Sequence, residues 1–290
     1  MSQKTEHGSQ GSDWIDEGIR SPSSAFGVQI LGILNITEDS FSDGAKYLEP
    51  AAAIAHGREL VADGATVLDL GAASSNPESK GVPPEVEIER LMPVVAALKG
   101  TALSIDTFAP AVQRWALGQN VAYINDIQGF PDASLYPELA ASSAKLIVMH
   151  SVQERGAATR VDVPPDTIMA RIAAFFDTRI AALERAGVAP SRLILDPGMG
   201  FFLGTSPLTS LTVLRRLPEL KTHYRLPILV SVSRKSFLRR LTGRDVQASG
   251  GVSLAAELFA IRQGADYIRT HAPAPLRDAL LLEKALQSPH

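Results

Sequence analysis

From residue 28 onward the chain alternates two hydrophobic rhythms. Short apolar runs occupy 28–34, 66–70, 102–106, 121–126, 145–149, 193–196, 227–232 and 266–270. They lack polar alternation, so they predict strands buried on both faces. Between them, 51–64, 85–98, 166–187 and 253–264 place apolar residues three and four apart, the spacing of amphipathic helices. Gly64, Gly118, Gly187 and Gly264 follow helical stretches and suit the left-handed position past a helix end. Eight strand candidates alternating with about eight helices predict parallel pairing and an α/β fold. Eight units over this length match a (β/α)8 (TIM) barrel. A doubly wound open sheet is the alternative. Its G-x-G-x-x-G turn is absent, as are the P-loop and the G-x-S-x-G elbow. The glycines of 198–204 have the wrong spacing for any of these.

The chain's first part breaks this pattern. Residues 1–26 are polar and rich in Ser and Gly, without an apolar core segment, so they predict a disordered leader and no signal peptide. The barrel is expected over 27–290. Hydrophobic residues make up 45% and charged residues 20%, which fits a globular domain able to bury a large core. There are no cysteines, which excludes disulfides, thiol nucleophiles and Cys-ligated metals and fits a reducing compartment. Net charge is −3 with no basic run, which argues against nucleic acid as a partner. No apolar run reaches the roughly 18 residues of a membrane span.

In a barrel the chemistry sits at the strands' C-terminal ends. Those ends carry Asn35, Asp69, Asp106, Asn125 with Asp126, Met149 with His150, Asp196, Ser233 before Arg234-Lys235, and Arg269 with His271. Strands must end in something polar, and that explains part of the set. Carboxylates on several strands exceed that need. Acids and amides on one side could take a donor-rich heteroaromatic edge. The cations of the last two units could take an anion such as phosphate. Ser236 opens a short helix whose free N–H groups would face that anion. The competing reading of Arg234 and Lys235 is a solvated surface pair, and that of Asp196 is a contact with a neighbouring strand. Asp69 is expected to be a structural strand-end acid. The six histidines show no compact ligand spacing, so a zinc site is not expected. If a metal takes part it should be Mg2+, held by oxygen ligands and substrate phosphates.

The segments 31-LGILNITEDSFSDG-44, 104-SIDTFAP-110, 124-INDIQG-129, 195-LDPGMGF-201, 233-SRKSFL-238 and 268-IRTHAP-273 together resemble dihydropteroate synthase. The resemblance spans 28 to about 283 and is closest to the sulfonamide-insensitive variants, through 195–204 and 233–238. It implies the joining of 6-hydroxymethyl-7,8-dihydropterin pyrophosphate to p-aminobenzoate, with Mg2+, pyrophosphate leaving first, a cytoplasmic setting and a homodimer. It implies a pterin site of Asp106, Asn125, Ile127, Met149, Asp196, Gly200, Phe201, Lys235 and Arg269. Asp106, Lys235, Arg269 and His271 are its expected catalytic residues. Asn35, Arg269 and His271 would hold pyrophosphate, with Asn35 the Mg2+ ligand. Ser75, Asn76, Pro77, Phe201, Lys235 and Ser236 would hold p-aminobenzoate. The loops 36–49 and 71–82 are expected to act as lids.

Two departures stand out. The family's Ser-Thr-Arg-Pro loop reads Ser74-Ser75-Asn76-Pro77, and its Gly-Phe-Gly-Lys reads Gly200-Phe201-Phe202-Leu203. Each loses a cation. The expectation is an active synthase with a reshaped arylamine site. The alternatives are a methyltetrahydrofolate-type methyltransferase barrel and a non-catalytic pterin binder.

Overall fold

Six of the helices carry proline in their first turn, where its fixed φ fits and its missing N–H costs nothing. The computed structural model describes residues 27–37, 49–73, 81–153 and 161–287. The leader 1–26, the central parts of both expected lids and Ser75, Asn76 and Pro77 lie outside them. In chain order the strands are β1 (Gln29–Asn35), β2 (Val67–Gly71), β3 (Ala102–Asp106), β4 (Tyr123–Asp126), β5 (Lys145–Met149), β6 (Leu193–Asp196), β7 (Leu229–Val230) and β8 (Tyr267–Thr270). Between and after them lie α1 (Pro50–Ala62), α2 (Pro84–Ala97), α3 (Pro110–Gly118), α4 (Tyr136–Ala141), α5 (Ile168–Arg185), α6 (Pro207–Tyr224), α7 (Ser236–Thr242), α8 (Gly250–Arg262) and α9 (Pro273–Gln287).

All strand pairs are parallel, in the order β6-β5-β4-β3-β2-β1-β8-β7. The ring closes between β6 and β7 through one bridge, Leu195 to Ile228, with Leu195 N donating to Pro227 O at 2.9 Å. This is the expected barrel. β7 is shorter than the run 227–232 because its neighbours bond elsewhere. Ile228 N donates to the Asp266 carboxylate at 2.7 Å, and Val232 O accepts from Lys235 N at 3.2 Å in the turn. The helix ends at Gly64, Gly187 and Gly264 take positive φ as expected. Gly118 does not. It is the last residue of α3, and Asn120, at φ 55°, turns the chain instead.

Strand alternation then sorts the side chains. Outward residues such as Leu34, Leu68, Ile105, Val148 and Ile268 pack beneath the helices in the main core. Inward residues Leu31, Val67, Tyr123, Ile147, Ile194, Leu229 and Tyr267 form a separate apolar plug in the lower barrel. Two residues further along the same face, the chemistry begins. Val67 is followed by Asp69, Tyr123 by Asn125, Ile147 by Met149, Ile194 by Asp196 and Tyr267 by Arg269. Burying the plug therefore aims these side chains at one upper cavity. Among the described residues, no helix is long and apolar enough to cross a membrane.

Candidate active site

Arg269 sits at the centre of the cavity. Its Nε donates to Asp69 Oδ2, and its Nη2 donates to Asp106 Oδ2 at 2.6 Å. β1 and β8 are neighbours, and β1 pairs with β2, so residues 200 positions apart meet in one ion pair. Burial alone would lower the Arg269 pKa, but the charges of Asp69 and Asp106 outweigh it and hold the guanidinium charged. Asp69 is fully buried, and its Oδ2 also faces Asn125 Nδ2 at 3.5 Å. The sequence suggested a structural strand-end acid. The structure places Asp69 mid-strand and inside the cavity, as the anchor of the central cation.

Asp196 is buried as well, and Asp106 is half-buried. Burial pushes Asp106 up to about 7, against the pull of Arg269. Burial likewise raises Asp196 to about 6, opposed by the Gly198 N–H that donates to its Oδ1 at 2.8 Å. The Oδ1 atoms of Asp69 and Asn125 are buried without a partner. An unpaired buried oxygen is costly, so these acceptors suit a ligand's donors. Lys235 lies beside Asp196 and Asp106, with its Nζ 5.2 Å from the centre of the Phe202 ring. Burial and the Arg269 charge lower it to about 8. Arg234 and Lys235 are half-buried, which sets aside the solvated surface pair.

Ile127, Met149 and Phe202 form the apolar wall, with Phe108 and Phe201 packed against it. Phe202 and Phe108 were absent from the expected site. The 3-10 turn Gly200–Leu203 buries Phe202 and leaves Phe201 half-exposed at the rim. Gly200, at φ 68°, packs beside the Lys235 stem and Ser236. Asn35 and Asp106 flank Gly71 from either side, each within ordinary contact distance of where its side chain would begin.

Two strand-end candidates leave the cavity. Asp126 points outward and accepts from Gln128 N, Phe130 N and Gln113 Nε2. His150 stacks edge-on against Phe175 with Nδ1 3.1 Å from Pro197 O, and burial lowers it to about 4. His271 was grouped with the cations. Its burial and then the charges of Arg234, Arg269 and Lys235 push its pKa well below the usual value, so it is a neutral ring against Ser233 Oγ at 3.1 Å. Among the described residues, no group of three or more His, Cys, Asp or Glu side chains could hold a metal ion.

A parallel barrel with buried acids, an amide and two cations beneath an apolar wall defines an enzyme site for a flat, polar-edged ring. Comparison with known proteins names the class. The model of the pterin binding enzyme family matches residues 31–271. The dihydropteroate synthase type-2 of Escherichia coli is 59% identical over 260 residues, covering 89% of this chain and 96% of that protein. The type-3 enzyme of Escherichia coli is 53% identical over 260 residues, covering 89% and 99%. Among solved structures, Xanthomonas albilineans dihydropteroate synthase with 4-aminobenzoic acid superposes with a TM-score of 0.80 at 35% identity, covering 91% of this chain and 94% of that one. The chain belongs to the pterin-binding enzyme family, as a member of its dihydropteroate synthase branch.

Proposed function

We propose that this chain condenses 6-hydroxymethyl-7,8-dihydropterin pyrophosphate with p-aminobenzoate to give dihydropteroate and pyrophosphate. The observation that carries this is the cavity centred on Arg269, bonded to Asp69 and Asp106 beside Asp196 and Lys235. Asp196 and Asn125 take the donors of the amino-pyrimidine edge, and Lys235 takes its acceptor edge. Ile127, Met149, Gly200 and Phe201, with Phe202, enclose the ring. The bond between the methylene carbon and the pyrophosphate oxygen breaks, and its electron pair leaves with pyrophosphate. The negative charge of Asp106 stabilises the pterin-methylene cation that remains. The arylamine nitrogen then donates its lone pair to that carbon and releases a proton to water. The amine is already neutral at pH 7, so no strong base is needed.

Arg269, the neutral His271 and Asn35 hold the leaving pyrophosphate. Asn35 offers Mg2+ a single amide oxygen, so the shell of that hard ion would be completed by phosphate oxygens and water. Mg2+ would neutralise charge on the leaving group. Ser236, with Ser75, Asn76 and Pro77 of the loop after β2, receives the p-aminobenzoate carboxylate end. Asn76 replaces a cation, and Phe201-Phe202-Leu203 reshapes the rim. We infer a site that keeps the small substrate and rejects the bulkier sulfonamides by shape. A preference of about a thousandfold needs only about 4 kcal/mol.

We also propose a homodimer through α8. That helix buries Ser253, Glu257 and Ala260, while Val252, Leu254, Leu258, Phe259 and Ile261 pack against the edge of the main core and stay half-exposed. A cytoplasmic location follows from the substrate, whose pyrophosphate charge keeps it in the compartment that makes it. The decisive experiment measures dihydropteroate formed by the purified chain with and without Mg2+, then with sulfamethoxazole. Tight pterin binding without product overturns the synthase reading. An inhibition constant like that of a sensitive enzyme overturns the selectivity reading alone.

A further inference from the structure

Behind the cavity, on the outer side of the strands, runs a second polar system that the chemistry above does not use. Glu87, in the first turn of α2, is buried, and its Oε2 accepts from Thr107 Oγ1 at 3.0 Å. Thr107 directly follows Asp106. Its backbone N donates to Asn125 O at 3.0 Å, and its O accepts from Gln113 Nε2 at 3.0 Å. The same Nε2 also donates to Asp126 Oδ2 at 2.9 Å. Asp126 then accepts from Gln128 N at 2.8 Å and Phe130 N at 3.0 Å. At the other end, Arg90, whose charge acts on Glu87, donates to Ala72 O at 3.1 Å. One continuous chain thus laces the loops after β2, β3 and β4.

The last of these loops is strained. Gly129 and Phe130 both take positive φ, at 65° and 59°. For a bulky residue such as Phe130 that conformation is a genuine outlier, and it persists only where the surroundings hold it. The Asp126 carboxylate supplies that hold, and Phe130 is buried. A side chain at Gly129 would meet the tip of the Phe175 ring at 2.5 Å, so only glycine fits this turn unless Phe175 moves. Ile127 lies between the carboxylate and the strained pair and forms part of the cavity wall.

We propose that Glu87, Thr107, Gln113 and Asp126 are positioning residues for the pterin ring. They fix Asp106, Asn125 and Ile127 relative to one another from behind, so that the ring meets a preformed cradle. Buried polar lattices that are fully satisfied rigidify what they hold. This inference rests on the pterin-site reading above.

The test uses the whole chain and 6-hydroxymethylpterin as a non-reacting probe in titration calorimetry, beside steady-state turnover and thermal melts. Thr107→Val keeps the shape and removes the hydroxyl, Thr107→Ser keeps the hydroxyl, and Gln113→Leu removes the amide. Loss of one buried hydrogen bond's alignment is expected to weaken pterin binding about tenfold in Thr107→Val and Gln113→Leu. The turnover number at saturating pterin should change little, and Thr107→Ser should restore wild-type affinity. A merely structural lattice would lower Tm and leave the pterin Kd unchanged, and that result overturns the proposal. So does a serine variant as weak as the valine one. If either Thr107→Val or Gln113→Leu fails to fold, the other carries the same decision. A wild-type chain that binds no pterin overturns the functional reading and this inference together. Wild-type binding with unaffected variants overturns this inference alone.

Discussion

Asp69→Asn separates anchoring from chemistry. The substitution is isosteric and removes one charge from a carboxylate that is fully buried and bonded to Arg269 Nε. Removing one partner of a buried pair costs about 3–5 kcal/mol, because the other charge is stranded. Here Asp106 still holds Nη2 at 2.6 Å and an Asn can still offer a carbonyl oxygen, so about 2–3 kcal/mol is expected. For a domain approaching this size, that is a Tm drop of roughly 4–12 °C. Asp106→Asn should behave oppositely. Burial raises Asp106 to about 7 in the fold, above the ordinary carboxylate range. Its contribution to stability is full below the unfolded pKa and is lost as pH rises toward 7. At neutral pH an amide there costs the fold little, while turnover should collapse for lack of a charge beside the cation. The assay is paired calorimetric melts and dihydropteroate formation for both variants at pH 7.5. Equal Tm for wild type and Asp69→Asn would refute the anchor. A larger stability loss in Asp106→Asn than in Asp69→Asn would refute the division of roles.

In the free enzyme, kcat/KM should fall below about pH 6–7 as Asp106 and Asp196 take up protons, and above about pH 8 as Lys235 loses its charge. A Lys235→Arg variant, though slower, should lose the alkaline limb, and its persistence would assign that limb elsewhere. Phe259→Glu at the half-exposed edge of α8 should convert a dimer to monomer in sedimentation velocity, and a thermal melt of the same variant separates that outcome from loss of its packing on the core. Asn76→Arg should restore the missing charge, and a fall in the sulfamethoxazole inhibition constant would assign selectivity to that loop, whereas no change would leave it with the rim at Phe201 and Phe202.

Much of the fold was legible because a parallel barrel writes itself plainly. Strands buried on both faces are apolar throughout, and helices between them repeat apolar residues three and four apart. β7 was overread because the run 227–232 is as apolar as the rest, and nothing local says that Ile228 N will be taken by Asp266. Gly118 was overread for the opposite reason: glycine permits a left-handed turn without requiring it, and Asn120 also adopts one. Strand ends and motifs singled out Asn125, Asp196, Lys235 and Arg269, and the structure gathers them at one end of the barrel. Asp69 was misjudged because its partner lies 200 residues away, and a single chain does not state which strands become neighbours. The signal was present in the alternation: Asp69 stands two residues after Val67, on the plug-bearing face. Phe202 was read with Phe201 as a changed rim and not as ring wall, because two adjacent aromatics in a loop cannot be ranked without the 3-10 turn that buries one of them.

The cavity also shows how an enzyme can hold a negative charge ready for a cation without committing to it. Asp69 and Asp106 both contact Arg269, yet they are not equivalent. Asp69 is fully buried and meets the guanidinium at Nε, on the side of the plug. Asp106 is a fifth exposed at its side chain, meets the outer nitrogen and sits near its own midpoint at neutral pH. Asp69 can therefore anchor Arg269 from within the fold, while Asp106 is free to answer the ring. A cation developing within a few ångströms favours the ionised carboxylate, and in a dry cavity that preference is large. The interaction is then stronger with the cation than with the neutral substrate, which is the condition for binding energy to accelerate the step. A single carboxylate could not do both jobs. Paired with Arg269 it would have no charge to spare, and unpaired it would leave the arginine without a buried partner.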